Sequence, residues 1–91
     1  MNDATRALID NERARQHEKW GAQIHHPLFW QSIALEEFGE VAQALIEGRG
    51  DDARTEVVQL AAVLTQWLEA PGGFDLSDPA RLTTDHIGGA A

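Results

Sequence analysis

A three-residue link, Gly48-Arg49-Gly50, joins two segments whose apolar residues recur with helical spacing. If both segments are helices, so short a link forces them to run antiparallel as neighbours. The first segment carries Glu36-Glu37-Phe38-Gly39-Glu40, and the second carries Glu56-Val57-Val58-Gln59. Counted from Arg49 at about 1.5 Å per residue, the acidic groups of both segments lie roughly 10–18 Å away, at one level of the hairpin.

Rotation about each helix axis, at about 100° per residue, decides which way these side chains point. Glu56 falls inside the apolar arc of its helix, and Gln59 lies on the edge of that arc. On the other helix, Glu37 borders the apolar stripe and Glu40 lies one step further out. The expected arc is Leu60, Val63, Leu64 and Trp67, and the expected stripe is Trp30, Ala34, Phe38, Val41 and Leu45.

A carboxylate within an apolar arc loses its hydration and is costly unless something neutralises it. Neither helix face offers a Lys or Arg at this level. A divalent cation shared by Glu37, Glu40 and Glu56 is the simplest explanation. The alternatives are that Glu37 and Glu40 form an ordinary solvated face and that Glu56 extends past Trp67 to water. The acidic groups of the two helices lie at the same level of the hairpin, and together they favour a shared cation more than the groups of either helix do alone.

Charge and composition restrict the class of protein. The formal charge of −8, from 15 acidic and 7 basic residues, argues against a nucleic-acid polymer as partner, because such binding needs a basic surface. At 91 residues the chain is one small domain that buries only about 60–65% of its unfolded surface. It has no cysteine, no apolar run of membrane-spanning length and no signal-peptide-like start, which predicts a soluble cytoplasmic protein without a membrane partner.

Capping residues and glycines mark three main helices and a short fourth one. Asn2 or Asp3 is expected to cap the first helix, and Asp51 or Asp52 the third. Gly48 is expected to follow the end of the second helix. The helices are expected over about 3–20, 28–47, 52–70 and 77–86, with a frayed end at 88–91.

Both hairpin helices have apolar arcs that are too wide for one neighbouring helix to cover. The additional apolar residues are Leu35, Ala42 and Ile46 on one helix and Val57, Ala61 and Leu68 on the other. On so small a chain, such arcs predict a partner surface, most simply a second copy in a two-fold bundle. The expected fold class is therefore all-α, an antiparallel helical bundle completed by homo-oligomerisation.

The first helix and the loop after it carry side chains suited to an anionic ligand. Arg15 lies on the polar, partly basic face of the helix, although an ordinary ion pair with Glu12 is an alternative. Lys19 next to Trp20 suits a phosphate and a base, although Trp20 can equally fill the core. His26 can hydrogen-bond a base or an adjoining backbone group. A metal site at the His pair is disfavoured, because adjacent residues rarely share a metal.

These residues resemble the MazG-like members of the all-α nucleoside triphosphate pyrophosphohydrolase superfamily, which carry EExxE on one helix and ExxD on the next. Here Glu36-Glu37-x-x-Glu40 is complete, whereas the second motif reads Glu56-x-x-Gln59. The run from Arg15 to Gly21, with Gln23 and His26-Pro27 after it, also resembles the N-terminal part of small MazG-like proteins. The resemblance covers about residues 11–70 of the single domain, 1–91.

The resemblance implies a Mg²⁺-dependent enzyme, with Mn²⁺ as an alternative ion, that hydrolyses a nucleoside triphosphate to the monophosphate and pyrophosphate. It also implies a homodimer or homotetramer. By position, the implied metal ligands are Glu37, Glu40, Glu56 and Gln59. Since Gln59 stands where the family usually has Asp, weaker Mg²⁺ binding or fewer bound ions are expected.

Further roles follow from the same resemblance. Glu36 or Glu40 would act as general base, and Lys19, Arg15 or Arg54 would contact phosphate oxygens. Trp20 or a loop histidine would stack on the base. Two alternatives stay open: a dUTP-, dCTP- or phosphoribosyl-ATP-directed hydrolase of the same superfamily, and a non-catalytic helical dimer whose metal site has decayed.

Overall fold

Three α-helices make up most of the described part of the chain, which is residues 1–77 of a computed structural model. They are α1 (Asp3–Trp20), α2 (Pro27–Ile46) and α3 (Gly50–Glu69). Residues 1–77 contain no strand, so the all-α prediction is confirmed for them. None of these three helices combines the length and apolar character needed to cross a lipid bilayer. The short helix expected over about 77–86 and the frayed end at 88–91 lie, apart from Ser77, outside the described residues.

The ends of α1 and the start of α2 follow the expected capping chemistry. The Asn2 side chain accepts a hydrogen bond from the Thr5 amide at 2.7 Å, and Gly21 stops α1 with a positive φ of 74°. Pro27 is the first residue of α2, where its missing N–H costs nothing. His26 caps this helix, because its Nδ1 accepts from the Leu28 amide at 3.1 Å.

The link between α2 and α3 has the expected three residues but lies one residue earlier in the chain than expected. The helices end and begin at Ile46 and Gly50, so only residues 47–49 separate them. Gly48 takes a φ of +76°, which a glycine adopts without strain. The prediction that Asp51 or Asp52 caps α3 is wrong, because both lie inside the first turn and the helix starts after Arg49 without a side-chain cap. The Arg49 carbonyl already accepts from the Ala53 amide at 2.9 Å.

The core lies between α2 and α3, which form the hairpin, and α1 packs against α3. Its centre is a cluster of Trp30, Ile33 and Val63, with Phe29, Ala34, Trp67 and Ala70 packed against it. Trp30 is only 1% exposed. The other buried apolar residues are Ile9, Val41, Ala44, Ala53 and Ala62. Polar contacts between α1 and α3 include an ion pair between Arg13 and Glu69 at 2.9 Å and a hydrogen bond from Gln16 to the Gln59 carbonyl at 3.5 Å.

The face of α2 that packs on α3 is not the stripe expected from the sequence. Phe38 and Leu45 are 60% and 61% exposed, so placing them in the buried stripe was wrong. The buried row is Trp30, Ile33, Val41 and Ala44, with Glu37 in its middle. The apolar arc of α2 is wider than one neighbour covers, and α3 covers the half that contains Glu37. On α3 likewise, Leu64 is exposed while Val63 is buried.

The chain turns back immediately after α3, as the Pro71-Gly72-Gly73 stop predicts. The Trp67 indole Nε1 donates to the Gly73 carbonyl at 2.5 Å, and the Trp67 and Phe74 rings stack with centroids 5.1 Å apart. A Cβ at residue 73 would lie 2.7 Å from the Trp67 carbonyl oxygen, so only glycine fits there. This turn fixes Trp67, two helical turns from the site described next.

Candidate metal centre

Three carboxylates from two helices meet at one level of the hairpin. One ligand oxygen each of Glu37 and Glu40, from α2, and Glu56, from α3, lie within 4.8 Å of one another. We call these three residues the acidic cluster. Glu37 and Glu56 are half-buried and Glu40 is exposed. The expected meeting of the three side chains is therefore observed, while their role as metal ligands stays a prediction.

Helical periodicity explains why Glu37 faces inward. Ile33 and Val41, one turn before and one turn after it, are both buried at 5% exposure. Residues at i±4 share a helix face, so packing of these two neighbours on α3 carries Glu37 into the interface. Glu56 lies on the facing side of α3, one turn from Leu60 and two from Val63. The carboxylates are thus held in place by the apolar residues around them.

The electrostatics of the acidic cluster favour a proton or a cation. The pKa of Glu37 is raised from 4.5 to about 7. Burial is the largest cause, and the charges of Glu40 and Glu56 add to it. Burial, and next a hydrogen bond and the charge from Glu40, raise the pKa of Glu56. Within residues 1–77, no Lys or Arg forms an ion pair with any of the three carboxylates. The charge of Arg49 acts in the opposite direction on Glu56 and lowers its pKa, but burial and Glu40 outweigh it.

Gln59 joins the two helices at this level without adding charge. Oriented so that both ends of its amide are satisfied, its nitrogen donates to Glu56 Oε2 at 2.9 Å and to Glu37 Oε2 at 3.3 Å. The side chain is half-buried. Gln59 thus acts as a donor to two carboxylates, whereas an Asp in its place would repel them.

The cluster fits a small divalent cation. Mg²⁺ takes oxygen ligands at about 2.0–2.1 Å in octahedral geometry, so the oxygens of adjacent ligands are about 3 Å apart and those of opposite ligands about 4.2 Å apart. The three oxygens lie within 4.8 Å of one another, so they would have to move closer together to hold the ion. Carboxylates are the ligands that this hard ion prefers.

A second polar assembly on α1 lies beside the acidic cluster. Glu12 accepts from Arg15 Nε at 2.9 Å and from Arg15 Nη2 at 2.7 Å, and Gln16 Nε2 donates to Glu12 at 3.0 Å. The ion pair that the sequence offered as an alternative for Arg15 is therefore present. Its hydrogen bond to Glu12 raises the pKa of Arg15, and the charge of Glu37 adds to this in the same direction. Arg15 is thus within electrostatic reach of the cluster.

The sequence offered pairing of Glu12 with Arg15 or Gln16 on one face of α1, and both contacts are present, but the burial of Gln16 against α3 was not predicted. Gln16 is 3% exposed, and it connects Glu12 with the backbone of Gln59 on α3. Glu12, Arg15 and Gln16 recur at i, i+3 and i+4, which is the spacing of one helix face. That spacing was the available signal, but the burial of a glutamine against a backbone carbonyl cannot be read from a pattern.

Lys19, Trp20, His26 and Arg54 are the remaining candidate substrate residues. The ammonium of Lys19 lies 4.8 Å from the centroid of the Trp20 ring, so the two form a cation–π pair at the end of α1. His26 is 2% exposed and caps α2, about 16 Å along that helix from Glu37. Of the two expected partners for His26, the backbone group is the one observed. Arg54 is exposed on the first turns of α3.

Comparison with known proteins adds no relative, since no protein-family model, curated protein or solved structure matches the chain. The resemblance to MazG-like enzymes therefore stays a prediction from the motifs. The geometry of the acidic cluster is an observation that stands apart from it.

In metal-free buffer, Glu37→Gln should stabilise the protein at pH 8 and change its stability little at pH 5. The pKa of Glu37 is raised to about 7 in the folded protein against an ordinary 4.5, so the folded state loses stability as the pH rises through 7. The expected gain at pH 8 is about 1 kcal/mol, allowing for solvent screening of a half-buried group. Thermal unfolding in EDTA at both pH values measures it.

Glu36→Gln is the matched control, because it makes the same chemical change at an exposed position of the same helix. This variant should show a much smaller gain at pH 8 than Glu37→Gln, because the charge of Glu36 is the weakest of the causes that raise the pKa of Glu37. An equal gain for Glu37→Gln at pH 5 and pH 8 would contradict the prediction, since it would attribute the effect to helix propensity or packing.

Proposed function

We propose that this protein is a Mg²⁺-dependent nucleoside triphosphate pyrophosphohydrolase of the MazG-like kind, with Mn²⁺ as an alternative ion. The proposal depends on one observation: ligand oxygens of Glu37, Glu40 and Glu56 converge within 4.8 Å. The EExxE motif, complete at residues 36–40, supports it from the sequence. A nucleoside triphosphate substrate also suits a cytoplasmic location.

The proposed ligands are Glu37, Glu40 and Glu56, with Gln59 beside them. When bound, Mg²⁺ would neutralise charge on the triphosphate and supply Lewis acidity at the phosphorus that water attacks. The bond broken lies between the α- and β-phosphates, so the products are the monophosphate and pyrophosphate. A net charge of −8 would otherwise repel so anionic a substrate.

The chain's own residues supply the remaining functions. Glu36 or Glu40, both exposed on α2, would accept the proton of the attacking water. Arg15 is the cation best supported as a phosphate contact, because the charge of Glu37 acts on its guanidinium. Lys19 and Arg54 are further candidates for phosphate.

Trp20 and His26 remain the proposed contacts for the base. Trp20 already receives Lys19 over its ring, which leaves the opposite ring face for stacking.

The working unit is proposed to be a homodimer or a homotetramer. Large apolar side chains exposed on both hairpin helices support this. So does chain length, because 91 residues bury too little surface for a strong core of their own.

A panel of nucleoside triphosphates tests the activity directly. Pyrophosphate should be released in the presence of Mg²⁺ and should disappear when EDTA removes the metal. Including dUTP, dCTP and phosphoribosyl-ATP separates the three branches of the superfamily by their rates. If no nucleotide yields pyrophosphate at saturating Mg²⁺ or Mn²⁺, the enzyme proposal fails and a non-catalytic helical dimer with a decayed metal site replaces it.

Removing one ligand charge should abolish turnover while leaving the fold intact. Glu37→Gln and Glu56→Gln are each expected to lower the rate of pyrophosphate release by at least about 100-fold, since each takes a charged oxygen from the ion. Circular dichroism checks the fold of each variant. Glu18→Gln makes the same change on the exposed side of α1 and should leave the rate unaltered. Full activity in Glu37→Gln would remove that residue from the site.

Restoring a carboxylate at residue 59 should tighten metal binding. Gln59→Asp is expected to lower the dissociation constant for Mg²⁺ by about 5- to 10-fold, or about 1 kcal/mol, because a fourth negative charge joins the cluster. Gln59→Asn has the same length without the charge and should not tighten binding. Calorimetric titration of both variants gives the comparison. Equal affinities for the Asp and Asn variants would place residue 59 outside the ligand set.

A further inference from the structure

A carboxylate lies on the inward face of α1. Ile9 and Gln16 are only 9% and 3% exposed, and Glu12 lies between them, three residues after the one and four before the other, on the same face of the helix. The Glu12 side chain is only 12% exposed. Taking a carboxylate out of water costs free energy that an apolar side chain would not cost. Glu12 is thus an acidic residue at a position where packing alone favours an apolar one.

Glu12 holds one edge of the Arg15 guanidinium. Its two oxygens accept from Nε at 2.9 Å and from Nη2 at 2.7 Å, which is a paired, charge-assisted contact. The guanidinium has five N–H groups in one plane. The two on Nη1 and the second one on Nη2 take no part in the contact with Glu12, and they form the outer edge of the group. The Arg15 side chain is 50% exposed, so a ligand can reach this outer edge from solvent.

Gln16 fixes Glu12 relative to α3. Its Nε2 donates to Glu12 Oε2 at 3.0 Å and to the Gln59 carbonyl at 3.5 Å. The side-chain amide of Gln59 donates in turn to Glu37 and Glu56. We call Glu12 and Gln16 the positioning pair. Through this pair, the orientation of Arg15 is tied to the helix that carries part of the acidic cluster.

Arg15 lies near the acidic cluster without pairing with it. The charge of Glu37 raises the pKa of Arg15, in addition to the larger effect of the contact with Glu12. Within residues 1–77, however, no ion pair joins Arg15 to Glu37. An anion with several oxygens, bound to a cation at the cluster, would lie between the two and contact the guanidinium.

An ordinary surface ion pair is the alternative explanation for Glu12 and Arg15. Such pairs join two exposed, flexible side chains and contribute little to stability. Here the carboxylate is largely buried and shares its oxygen with an amide that is itself buried. Replacing a buried pair by apolar residues is often neutral or stabilising, so stability alone does not account for it.

We propose that Glu12 and Gln16 position Arg15, so that the outer edge of its guanidinium faces the phosphate oxygens of a nucleotide whose metal ion the acidic cluster holds. The positioning pair itself touches neither the nucleotide nor the ion. An arginine that is already held in place loses less conformational freedom on binding, which strengthens its contact with phosphate. The inference rests on the proposed function for the identity of the anion, and it adds two residues to that site.

Removing the charge of Glu12 separates this role from simple electrostatics. Glu12→Gln takes a negative charge away from the neighbourhood of an anion, which by itself would tighten anion binding. Loss of the fixed guanidinium should instead weaken binding of the magnesium complex of inorganic triphosphate by about 10-fold. Calorimetric titration measures the affinity. Glu18→Gln, the same change at an exposed position of α1, should not weaken it. Equal or tighter binding in Glu12→Gln would overturn the proposal.

A double-mutant cycle tests whether Glu12 acts through Arg15. Arg15→Gln should weaken binding of the same triphosphate complex by about 10- to 100-fold. Glu12→Gln/Arg15→Gln should bind no more weakly than Arg15→Gln alone, because Glu12 then has no guanidinium to position. If the two effects multiply in the double variant, Glu12 acts through the fold in general and the proposal is wrong.

Hydrogen exchange at Arg15 Nε reports the contact directly and covers the case in which Glu12→Gln does not fold. In wild type in EDTA, this proton should exchange with water more slowly than the Nε proton of Arg54, which is exposed. The slow exchange should persist when the magnesium triphosphate complex is added, because the ligand takes the outer edge. Fast exchange in wild type, or its onset when triphosphate binds, would contradict the positioning role.

Failure of the proposed function and failure of this inference give different results. If no nucleotide yields pyrophosphate but triphosphate binding falls in Glu12→Gln, the enzyme proposal fails and the positioning role stands. If Glu12→Gln releases pyrophosphate at the rate of wild type, the enzyme stands and the positioning role fails. A wild-type protein that does not bind the triphosphate complex would also overturn the positioning role.

Discussion

Burial of carboxylates at one level of a tight hairpin is the interaction on which the remaining features depend. Only residues 47–49 separate α2 from α3, so the two helices cannot slide relative to each other. With the level fixed, packing of Ile33 and Val41 turns Glu37 toward α3, where Glu56 faces it. The result is a group of like charges that only a proton, a hydrogen-bond donor or a cation can compensate.

A proton and a hydrogen-bond donor can both be assigned to the cluster from its own residues. Glu37 binds a proton more readily than an ordinary carboxyl, since its pKa is raised by burial to about 7, and Gln59 donates to Glu37 and Glu56. A cation that replaces the proton and binds only the folded chain would stabilise the fold by its free energy of binding. That linkage matters in a chain whose core is centred on only three residues, Trp30, Ile33 and Val63.

Local signals predicted the helices, the short link and the level of the acidic groups, because caps, glycines and rise per residue are properties of the chain alone. The rotation of each helix about its axis was harder to predict. The apolar arc of α2 spans more than one neighbour covers, so hydrophobicity could not decide whether Phe38 or Glu37 would face α3. Asp51 had good capping chemistry, yet the tight turn started α3 at Gly50. The burial of Gln16 depends on a backbone carbonyl in another helix, which no local pattern records.

Glu37 faces α3 while its neighbour Phe38 is exposed, and Glu56 faces α2 while its neighbour Val57 is exposed. This alternation limits where the chain can gain or lose a residue. Inserting or deleting one residue within either hairpin helix would rotate everything beyond it by about 100°. Such a change would expose a carboxylate that now faces inward and bury an apolar neighbour, and it would also break the match in height across the hairpin. Insertions and deletions are therefore expected to be tolerated better in the loop at 21–26, or beyond the turn that holds Trp67, than within either hairpin helix.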